Sequence, residues 1–319
     1  MTGPIVIIAG GVGGAKMVQG FADVCPADDL AVIGNVADDW EFHGLWVSPD
    51  IDTVTYTLAG RIDESKGWGV ADESFRALDV LKSFGRETWM QLGDQDLGLH
   101  IYRTERRRAG DRPTDIARDI TRAMGVEVDI MLPTDDVLHT RVKTPDGWLA
   151  FQEYFVRERC APPVTDVQVE GAAAARATPE ALAAIEGARL VVIAPSNPIV
   201  SIGPILAVPG IREALGRRSG PCVVVSPLVG GKALKGPAVQ MMTALGHVAD
   251  STGVAAIYDG LMDAFVVDVA DKALLPALEE AGHRVWVEQT VMKTRADKGA
   301  LAARILARAD ELAPGRGAA

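Results

Sequence analysis

A cluster of glycines near the beginning of the chain has the composition of a phosphate-binding turn. The motif GGVGGAK occupies positions 10–16 and directly follows the apolar run Pro4–Ala9. Glycines let the backbone approach a phosphate and adopt positive φ angles, and the free N–H groups of a following helix attract anions. We expect phosphate or diphosphate binding here, and a tight structural turn is the alternative. The residues concerned are Gly10, Gly11, Gly13, Gly14 and Lys16, the last of which is either a counter-charge or a solvated helix residue.

Four aspartates follow the second apolar run, Leu30–Val36, and could bind a metal ion. They are Asp38, Asp39, Asp50 and Asp52. Clustered carboxylates repel one another unless a cation or a hydrogen-bond donor joins them. Mg²⁺ binds in proteins through one or two carboxylates together with phosphate oxygens of the substrate, so Mg²⁺ is the expected cofactor. For any single aspartate, capping of a turn or helix is the alternative.

Two further strand ends carry small polar or basic residues. Ser196 and Asn197 follow the apolar run Leu190–Ala194. Their side chains can hydrogen-bond a base, a ribose or a phosphate, although the same residues are common in turns. Lys232 lies beside glycines after the run Pro221–Ser226 and suits a phosphate. An exposed lysine without such a role is the alternative.

Basic, imidazole and thiol side chains give weaker indications of a functional site. The stretch Arg103–Arg108 could steer an anionic substrate, but a solvated helix face is the preferred interpretation. His43 is a candidate acid–base group, His100 and His139 are weaker candidates, and no catalytic base is assigned. The three cysteines, Cys25, Cys160 and Cys222, are far apart and lack the spacing of a zinc site.

The elements that must position these residues have an α/β pattern. The run Pro4–Ala9, a helix over Ala15–Val24 and the run Leu30–Val36 form a βαβ unit. Residues 37–68 show no periodicity and are expected to be irregular but functional. Other predicted helices cover Asp72–Phe84, Thr114–Met124, Pro179–Glu186 and Ala296–Leu312, and other predicted strands cover Val126–Leu132, Val137–Val142, Trp148–Val156, Leu190–Ala194, Pro221–Ser226, Val254–Ile257, Ala264–Val267 and Arg284–Val287. We therefore predict one domain over residues 1–319, a Rossmann-like parallel sheet flanked by helices, with an inserted smaller α+β part at about 72–165.

Composition excludes some classes of partner. Nearly half of the 319 residues are apolar, 24% are charged, and the formal net charge is −11. An acidic surface repels a phosphate polyanion, so we expect no nucleic-acid partner. We find no apolar run long enough to span a bilayer and no basic, apolar signal peptide, so we expect a cytoplasmic protein without a membrane partner.

Five motifs together resemble a known enzyme family. GGVGGAK, NVADDWEFHGLWVSPDIDT, LxxRIDESKGWG, LGDQDLGLH and APSNPIVSIGPIL are similar to the motifs of the 2-phospho-L-lactate transferases of coenzyme F-420 biosynthesis. The resemblance extends from about Ile5 to Met292. It implies Mg²⁺-dependent transfer of a phospho-acid from a guanosine diphosphate-linked donor to the deazaflavin alcohol Fo, with release of GMP. Bacterial members use related phosphoenolpyruvyl or phosphoglyceryl donors, and the family suggests a homodimer.

The resemblance also implies roles for individual residues. Asp52 matches the family aspartate that binds Fo, and Gln91 stands where several members have a basic Fo-binding residue. The glycine turn, Ser196 and Asn197 match the part of the family that holds the guanosine nucleotide.

A hypothesis for the site combines these expectations. In this hypothesis Asp39 and Asp50 bind Mg²⁺, and Asp52 orients the primary hydroxyl of Fo. Whether Asp52 also deprotonates this hydroxyl is left open. Asp39 is counted with Asp52 among the catalytic residues. Aromatic side chains after the second strand are expected to bind the deazaflavin ring by stacking, and core packing is their alternative. These residues are Trp40 and Trp46, and His43 is also expected to bind Fo.

Two other functions share part of the pattern. An NAD(P)-dependent oxidoreductase would have the same first strand and turn, with Asp38 or Asp39 as its ribose-binding acid. The GGxGG spacing and the number of carboxylates speak against it. A non-catalytic nucleotide-binding sensor would need the glycine turn but not the aspartate cluster.

Overall fold

The computed structural model describes residues 3–233 and 236–312. Within them the strands are β1 (Ile5–Ala9), β2 (Leu30–Gly34), β3 (Trp40–Phe42), β4 (Leu45–Val47), β5 (Asp129–Met131), β6 (His139–Thr144), β7 (Gly147–Ala150), β8 (Asp166–Glu170), β9 (Leu190–Ile193), β10 (Cys222–Val225), β11 (Leu228–Val229), β12 (Lys232–Ala233), β13 (Ala264–Asp268) and β14 (Val285–Glu288). The predicted apolar runs thus form strands because each is short and lies between turn residues.

Helices connect the strands and cover the sheet. They are α1 (Gly11–Ala22), α2 (Pro49–Leu58), α3 (Arg76–Ser83), α4 (Asp94–Arg108), α5 (Pro113–Ala123), α6 (Pro179–Gly187), α7 (Gly203–Ala207), α8 (Ile211–Arg217), α9 (Ala238–Ala244), α10 (Ser251–Ile257), α11 (Leu275–Glu280) and α12 (Arg295–Ala309). Short 3₁₀ or π turns lie at Ala27–Asp29, Glu153–Arg157, Ala172–Ala174, Pro198–Ile202 and Val269–Leu274.

A seven-stranded parallel sheet, in the order β14-β13-β10-β9-β1-β2-β5, forms the centre of the described chain. Ile5 of β1 pairs with Leu30 of β2 on one side and with Leu190 of β9 on the other. The side chains of β1 are fully buried, since helices cover both faces of the sheet. The predicted α/β class with a Rossmann-like parallel sheet is confirmed.

The position of β1 determines where a ligand site can form. The chain passes from β1 to β2 on one side, whereas β9 and β10 follow on the other side. In open α/β sheets, ligands bind in the crevice at the carboxyl ends of the strands where the order reverses. The residues that follow β1, β2 and β9 are therefore the first candidates for a ligand site.

Smaller sheets lie outside the main one. The strands β3 and β4 form a hairpin, β11 pairs with β12, and β7-β6-β8 form an antiparallel sheet. The predicted inserted part at about 72–165 includes β5, which pairs with β2 at the edge of the main sheet. The range 72–165 therefore does not lie wholly outside the main sheet.

Three predicted elements are wrong. Residues 37–68, expected to be irregular, contain the β3–β4 hairpin and the helix α2. The predicted strand Val254–Ile257 lies in α10, which begins because the Asp250 carboxylate accepts hydrogen bonds from the backbone N–H groups of Thr252 and Gly253. The predicted strand Trp148–Val156 ends at Ala150, whose N–H donates to the Glu153 carboxylate 3.0 Å away. A π turn then begins at Glu153.

Crossing a bilayer requires a helix of sufficient length and hydropathy. No single helix among the described residues meets both criteria. A bent pair, Pro198–Ala207 with Ile211–Arg217, meets them by length and composition alone.

Candidate active site

A cavity of about 850 Å³ opens at the carboxyl ends of β1, β2 and β9. Its wall contains the glycine turn, the beginning of α2, one side of α4 and the segments around residues 91, 152 and 291. Sequence-predicted site residues that line it are Gly10, Gly11, Gly13, Lys16, Asp50, Asp52, Gln91, Ser196 and Asn197. Within the described chain, those that do not line it are Gly14, Asp39, Trp40, His43, Trp46 and Lys232. Most of the predicted cluster is thus brought together in one cavity.

Close packing explains why the turn after β1 is made of glycines. A Cβ atom on Gly13 would lie 2.3 Å from the carbonyl oxygen of Pro195, and one on Gly10 would lie 2.8 Å from the Asp50 carboxylate. Gly11 has a φ of +61°, which other residues rarely adopt. The helix α1 begins at Gly11, so its first N–H groups face the cavity region and favour a bound anion.

Ser196 and Asn197 brace this turn and the segment after β9. The Ser196 hydroxyl donates to the carbonyl oxygen of Gly10 at 2.7 Å. The Asn197 side-chain oxygen accepts from the N–H of Ile199 at 2.9 Å and so caps the π turn at Pro198–Ile202. Both side chains line the cavity, so the polar groups that hold the turn are also in reach of a ligand.

Lys16 contributes positive charge to the same wall. Its ammonium group donates to the carbonyl oxygen of Met292 at 3.0 Å, which links α1 to the segment after β14. Lys293 also lines the cavity. An anionic ligand therefore meets cationic groups here although the protein as a whole is acidic.

Asp38 and Asp50 are the two carboxylates that face each other at the carboxyl end of β2. Burial raises the pKa of Asp50 to about 6, while the Asn35 amide, which donates at 3.0 Å, and the Gly11 backbone oppose that rise. Burial, and then the neighbouring Asp50, raise the pKa of Asp38 well above its ordinary value. One Asp38 oxygen is buried without a hydrogen-bond partner. The Asn35 side chain acts on both carboxylates, but it leaves this Asp38 oxygen without a hydrogen-bond partner.

Asp39 points away from this pair. Its Oδ2 atom accepts from the Trp46 indole N–H at 3.0 Å and from the Ser48 hydroxyl at 2.7 Å, whereas its Oδ1 atom, like one oxygen of Asp38, is buried without a partner. Burial raises its pKa to about 7. Consecutive residues after a strand point in different directions, so Asp38 rather than Asp39 lies in the cavity wall with Asp50. The Asp39 side chain instead holds the β3–β4 hairpin to the beginning of α2.

Asp52 forms a buried ion pair with Arg103 of α4. One guanidinium nitrogen donates to Asp52 Oδ2 at 3.0 Å, and the other contacts Oδ1. Both residues are about 95% buried, since their exposed fractions are 4% and 5%. The preferred assignment of Arg103 to a solvated helix face is therefore wrong. Arg106 is also paired, with Asp111 and Asp119.

Three more polar side chains lie beside the Asp52–Arg103 pair. The Nδ1 atom of His100 is 3.2 Å from Arg103 Nη1, and burial lowers the pKa of His100 to about 4. The Tyr56 hydroxyl donates to Asp96 at 2.6 Å, and burial raises the pKa of Asp96 to about 6. His100, Tyr56 and Asp96 line the cavity; Tyr56 and Asp96 were not predicted, and His100 was a weaker acid–base candidate than His43. The i, i+4 spacing of Asp96 and His100 on α4 is the signal that could have indicated them.

The aromatic wall of the cavity differs from the predicted one. Trp68, Trp89, Phe151 and Phe155 line it, and the last two rings stack with centroids 5.4 Å apart. Of the predicted rings, Trp40 packs edge-on against His139, His43 packs on Phe42, and Trp46 lies under the Arg107 guanidinium at 3.9 Å. The aromatic lining comes from later loops because the hairpin uses its own rings in its packing.

The possibility of a metal site depends on the two carboxylates beside the glycine turn. Within residues 3–233 and 236–312, no three or more His, Cys, Asp or Glu side chains are arranged to hold a metal ion. Mg²⁺ needs fewer protein ligands when a phosphate supplies the rest. Asp38 and Asp50 both line the cavity, and one Asp38 oxygen has no hydrogen-bond partner, so this pair fits this mode of binding.

Comparisons with known proteins show the family of the chain. The family model "2-phospho-L-lactate transferase CofD" matches residues 5–305. A 2-phospho-L-lactate transferase from Methanosarcina mazei is 35% identical over 288 residues, which cover 90% of this chain and 94% of the relative. A phosphoenolpyruvate transferase from Streptomyces coelicolor is 40% identical over 284 residues, 87% of this chain and 89% of the relative.

Solved structures support the fold alone. A member of the UPF0052 family from Bacillus halodurans superposes with a TM-score of 0.64 at 18% identity, covering 96% of this chain and 99% of that one. The transferase family takes the place of the oxidoreductase and sensor alternatives. With its family motifs in one cavity and a family match over residues 5–305, the chain belongs to the 2-phospho-L-lactate transferase CofD family of transferases.

Proposed function

We propose that this protein transfers a phospho-acid unit from a guanosine diphosphate-linked donor to the deazaflavin alcohol Fo, with release of GMP. The observation that carries the proposal is the single cavity that joins an anion-binding turn, Gly10–Lys16, to the polar group around Asp52. A transferase must hold two reactants side by side, and a cavity of about 850 Å³ has room for both. Relatives that bear the two names 2-phospho-L-lactate transferase and phosphoenolpyruvate transferase support a phospho-acid donor.

The donor is assigned to the side of the cavity that contains the glycine turn. Its diphosphate would lie at the beginning of α1, where the first N–H groups have no partner within the helix and Lys16 adds positive charge. Ser196 and Asn197 lie next to the turn and would contact the guanosine part. This position places the phosphorus atom that is attacked between the turn and Asp50.

The acceptor is assigned to the side that contains Asp52. Asp52 is oriented by the Arg103 guanidinium and lines the cavity, so it can accept a hydrogen bond from a hydroxyl of Fo. Gln91 would provide a neutral amide to the ring edge, and Trp89 and Phe155 a surface for the flat ring. Fo is assigned here because aromatic residues and hydroxyl-binding groups lie on the same side of the cavity.

Mg²⁺ would be held by Asp38 and Asp50 together with diphosphate oxygens of the donor. When bound, the ion neutralises charge on the diphosphate and on the phosphoryl group in transfer. The two carboxylates fit because both are buried, Asp50 acts on Asp38 as a neighbouring charge, and one Asp38 oxygen has no hydrogen-bond partner. This assignment replaces Asp39 by Asp38 in the predicted pair.

The residues of this chain mainly position the reactants, as is usual for phosphoryl-type transfer. A hydroxyl oxygen of Fo forms a bond to the phosphorus atom that carries the acid, and the bond from that phosphorus to the oxygen of GMP breaks. The hydroxyl proton leaves to a carboxylate of the wall, for which Asp52 and Asp96 are both placed. Lys16 and the amides of α1 stabilise the negative charge that GMP takes away.

One assay tests the proposal and identifies the acid. Purified protein is incubated with Fo, Mg²⁺ and one of three guanylylated donors, which carry 2-phospholactate, phosphoenolpyruvate or 3-phosphoglycerate. Mass spectrometry should show GMP and a phosphodiester of Fo for at least one donor, and neither product when Mg²⁺ is chelated. Absence of product with all three donors would contradict the proposed function.

A further inference from the structure

Asn35 directly follows β2, and its side-chain amide joins three segments of the chain. Its Oδ1 atom accepts from the backbone N–H of Ala37 at 3.0 Å. Its Nδ2 group donates to Asp50 Oδ2 at 3.0 Å and to the carbonyl oxygen of Val200 at 3.3 Å. Asn35 is only 1% exposed, and both of its amide N–H groups and its oxygen have partners.

These partners determine which way the amide of Asn35 points. The N–H of Ala37 can only donate, whereas the carbonyl oxygen of Val200 can only accept. A flipped amide would place its oxygen against the Val200 oxygen and its NH₂ group against the Ala37 N–H. The Nδ2 group of Asn35 therefore faces Asp50 as a fixed donor.

The Asp50 carboxylate is held between this amide and the glycine turn. The Gly11 backbone also bonds to the carboxylate. Packing is close, since a Cβ atom on Gly10 would lie 2.8 Å from Asp50 Oδ2 and 3.2 Å from the Cβ atom of Asn35. A carboxylate has about four acceptor positions, so two donors leave positions for a ligand in the cavity that Asp50 lines.

The position of Asp38 has further supports. Asn35 acts on its carboxylate, but the backbone at this point is also bound by other elements. The Ala37 carbonyl accepts from the N–H of Thr140 at 2.7 Å, and the Asp38 carbonyl accepts from the side-chain amide of Gln152 at 3.2 Å. Loss of the Asn35 amide is therefore expected to act mainly on Asp50.

We propose that Asn35 is the positioning residue of the cation site, which holds Asp50 in its binding orientation before a cation arrives. Asn35 is not itself a ligand, because its oxygen is bonded to Ala37 and its nitrogen carries protons. Groups that bond to a ligand side chain orient it, and their loss usually lowers metal affinity about ten- to hundredfold. The inference rests on the proposed function, which assigns the cation to Asp38 and Asp50.

A purely structural role of Asn35 is the competing explanation. Its bond to Val200 ties the end of β2 to the π turn at Pro198–Ile202, which Asn197 caps. If Asn35 served only this connection, its loss would disturb the nucleotide side of the cavity whether or not a cation is bound. The test must therefore measure nucleotide affinity and cation affinity separately.

Binding of GDP at increasing Mg²⁺ concentrations makes this separation. A cation and a nucleotide that bind together strengthen each other's binding by the same factor. Calorimetric titration gives the dissociation constant of GDP in EDTA, and repeated titrations give the Mg²⁺ concentration at which half of the gain in GDP affinity is reached. Two variants are compared with the wild type, Asn35→Leu, which keeps the side-chain volume, and Asn35→Ala, which adds no bulk. Circular dichroism checks that each is folded.

Both variants should raise the half-effect Mg²⁺ concentration about tenfold or more. Their GDP affinity in EDTA should stay within about threefold of the wild type, since the glycine turn remains. A folded variant with an unchanged half-effect concentration would overturn the inference. An equal loss of GDP affinity in EDTA and in Mg²⁺ would also overturn it, because that is the result of the structural role.

A double variant tests whether Asn35 acts through Asp50. In Asp50→Asn the carboxylate that Asn35 holds has been removed, so adding Asn35→Leu should raise the half-effect Mg²⁺ concentration by no more than about twofold. Full addition of the two single effects would show that Asn35 acts independently of Asp50 and would contradict the proposal.

Gln240 provides a matched control outside the cavity wall. Its side-chain amide accepts from the Tyr154 hydroxyl at 2.9 Å and donates to the carbonyl oxygen of Pro162 at 3.1 Å. Gln240→Leu thus removes an amide that also joins separate segments, but no contact with a carboxylate of the site. Both GDP affinity in EDTA and the half-effect Mg²⁺ concentration should match the wild type.

The proposed function can fail independently of this inference. If the wild type forms no product with any donor but the half-effect Mg²⁺ concentration still depends on Asn35, the reaction is wrong and the positioning role stands. If product forms and the Asn35 variants respond to Mg²⁺ as the wild type does, the reaction stands and the inference is wrong.

Discussion

Arg103 of α4 and Asp52 of α2 meet in a two-point ion pair that is almost completely buried. The guanidinium donates to both carboxylate oxygens, and the exposed fractions of the two residues are 5% and 4%. The pair joins α2 to α4 through two residues that are 51 positions apart in the sequence. It therefore contributes both to the stability of the fold and to the orientation of Asp52 in the cavity.

Arg103→Met should destabilise the protein strongly. The substitution leaves the Asp52 carboxylate buried without a partner, which costs about 3–5 kcal/mol of unfolding free energy. Urea denaturation followed by circular dichroism measures this loss. Arg157→Ala is the control, since Arg157 is an exposed residue paired with Glu153 and Glu158, and should cost less than about 1 kcal/mol. Equal losses for the two variants would show that Arg103 is not a buried partner of Asp52.

Asp52→Asn should abolish turnover in a protein that remains folded. The amide oxygen can still accept from Arg103, but the side chain no longer orients a hydroxyl as an anion does. We expect kcat/KM for Fo to fall at least about a hundredfold. Asp28→Asn, an exposed aspartate outside the cavity, should keep full activity. Normal turnover of Asp52→Asn would remove Asp52 from the mechanism.

Much of the fold could be predicted because parallel strands have a local signal. Each strand of the main sheet is a short apolar run, and β1 is buried on both faces. The carboxyl ends of such strands meet at one edge, so Gly10, Asp50 and Ser196 could be assigned to one site from sequence alone. These residues follow strands directly or begin the next helix.

The rest of the site depends on contacts that have no local signal. In the sequence, Arg103 has the pattern of a basic helix face. Only the packing of α4 on the hairpin and α2 brings Arg103 to Asp52. The choice between Asp38 and Asp39 depends on side-chain direction at one turn. Trp89 and Phe155 reach the cavity from distant loops, which periodicity cannot indicate.

Asp38→Asn should raise the Mg²⁺ concentration needed for half-maximal activity by about tenfold or more, because one of two carboxylate ligands is lost. Asp39→Asn should change it less, since Asp39 bonds to Trp46 and Ser48 rather than to the cavity. Initial rates at increasing Mg²⁺ give both values. A larger effect of Asp39→Asn would favour Asp39 and Asp50, the pair expected from the sequence.

The same Asp38→Asn substitution should stabilise the metal-free protein. Burial, and then repulsion by Asp50, disfavour the charged form of Asp38, and the amide removes that charge. A gain of roughly 1 kcal/mol in unfolding free energy is expected when EDTA is present. Higher stability together with lower activity of the variant would show that the carboxylate pair serves the function at a cost in stability.

The neutral His100 should make stability depend on pH. Its pKa is about 4 in the folded protein, against 6.5 when unfolded, because burial outweighs the attraction of Asp52, with Arg103 acting in the same direction as burial. The unfolded chain therefore binds the proton more tightly, so the contribution of His100 is complete above pH 6.5 and is lost as the pH falls towards 4. The difference in unfolding free energy between the wild type and His100→Gln should fall by roughly 3 kcal/mol over this range. A difference that stays constant with pH would show that His100 titrates normally.

Replacement of two glycines by alanine should have opposite effects. A Cβ on Gly13 would lie 2.3 Å from the carbonyl oxygen of Pro195, so Gly13→Ala must displace the turn that is assigned to the donor diphosphate. Gly98 is an exposed residue inside α4, and a methyl group there would have no atom within 4 Å, so Gly98→Ala should add about 0.5–1 kcal/mol of unfolding free energy. Gly13→Ala should lose stability and weaken binding of GDP, whereas Gly98→Ala should bind GDP as the wild type does. Calorimetric titration measures the affinity for GDP. Unchanged GDP affinity in a folded Gly13→Ala protein would show that nucleotide binding does not depend on this turn.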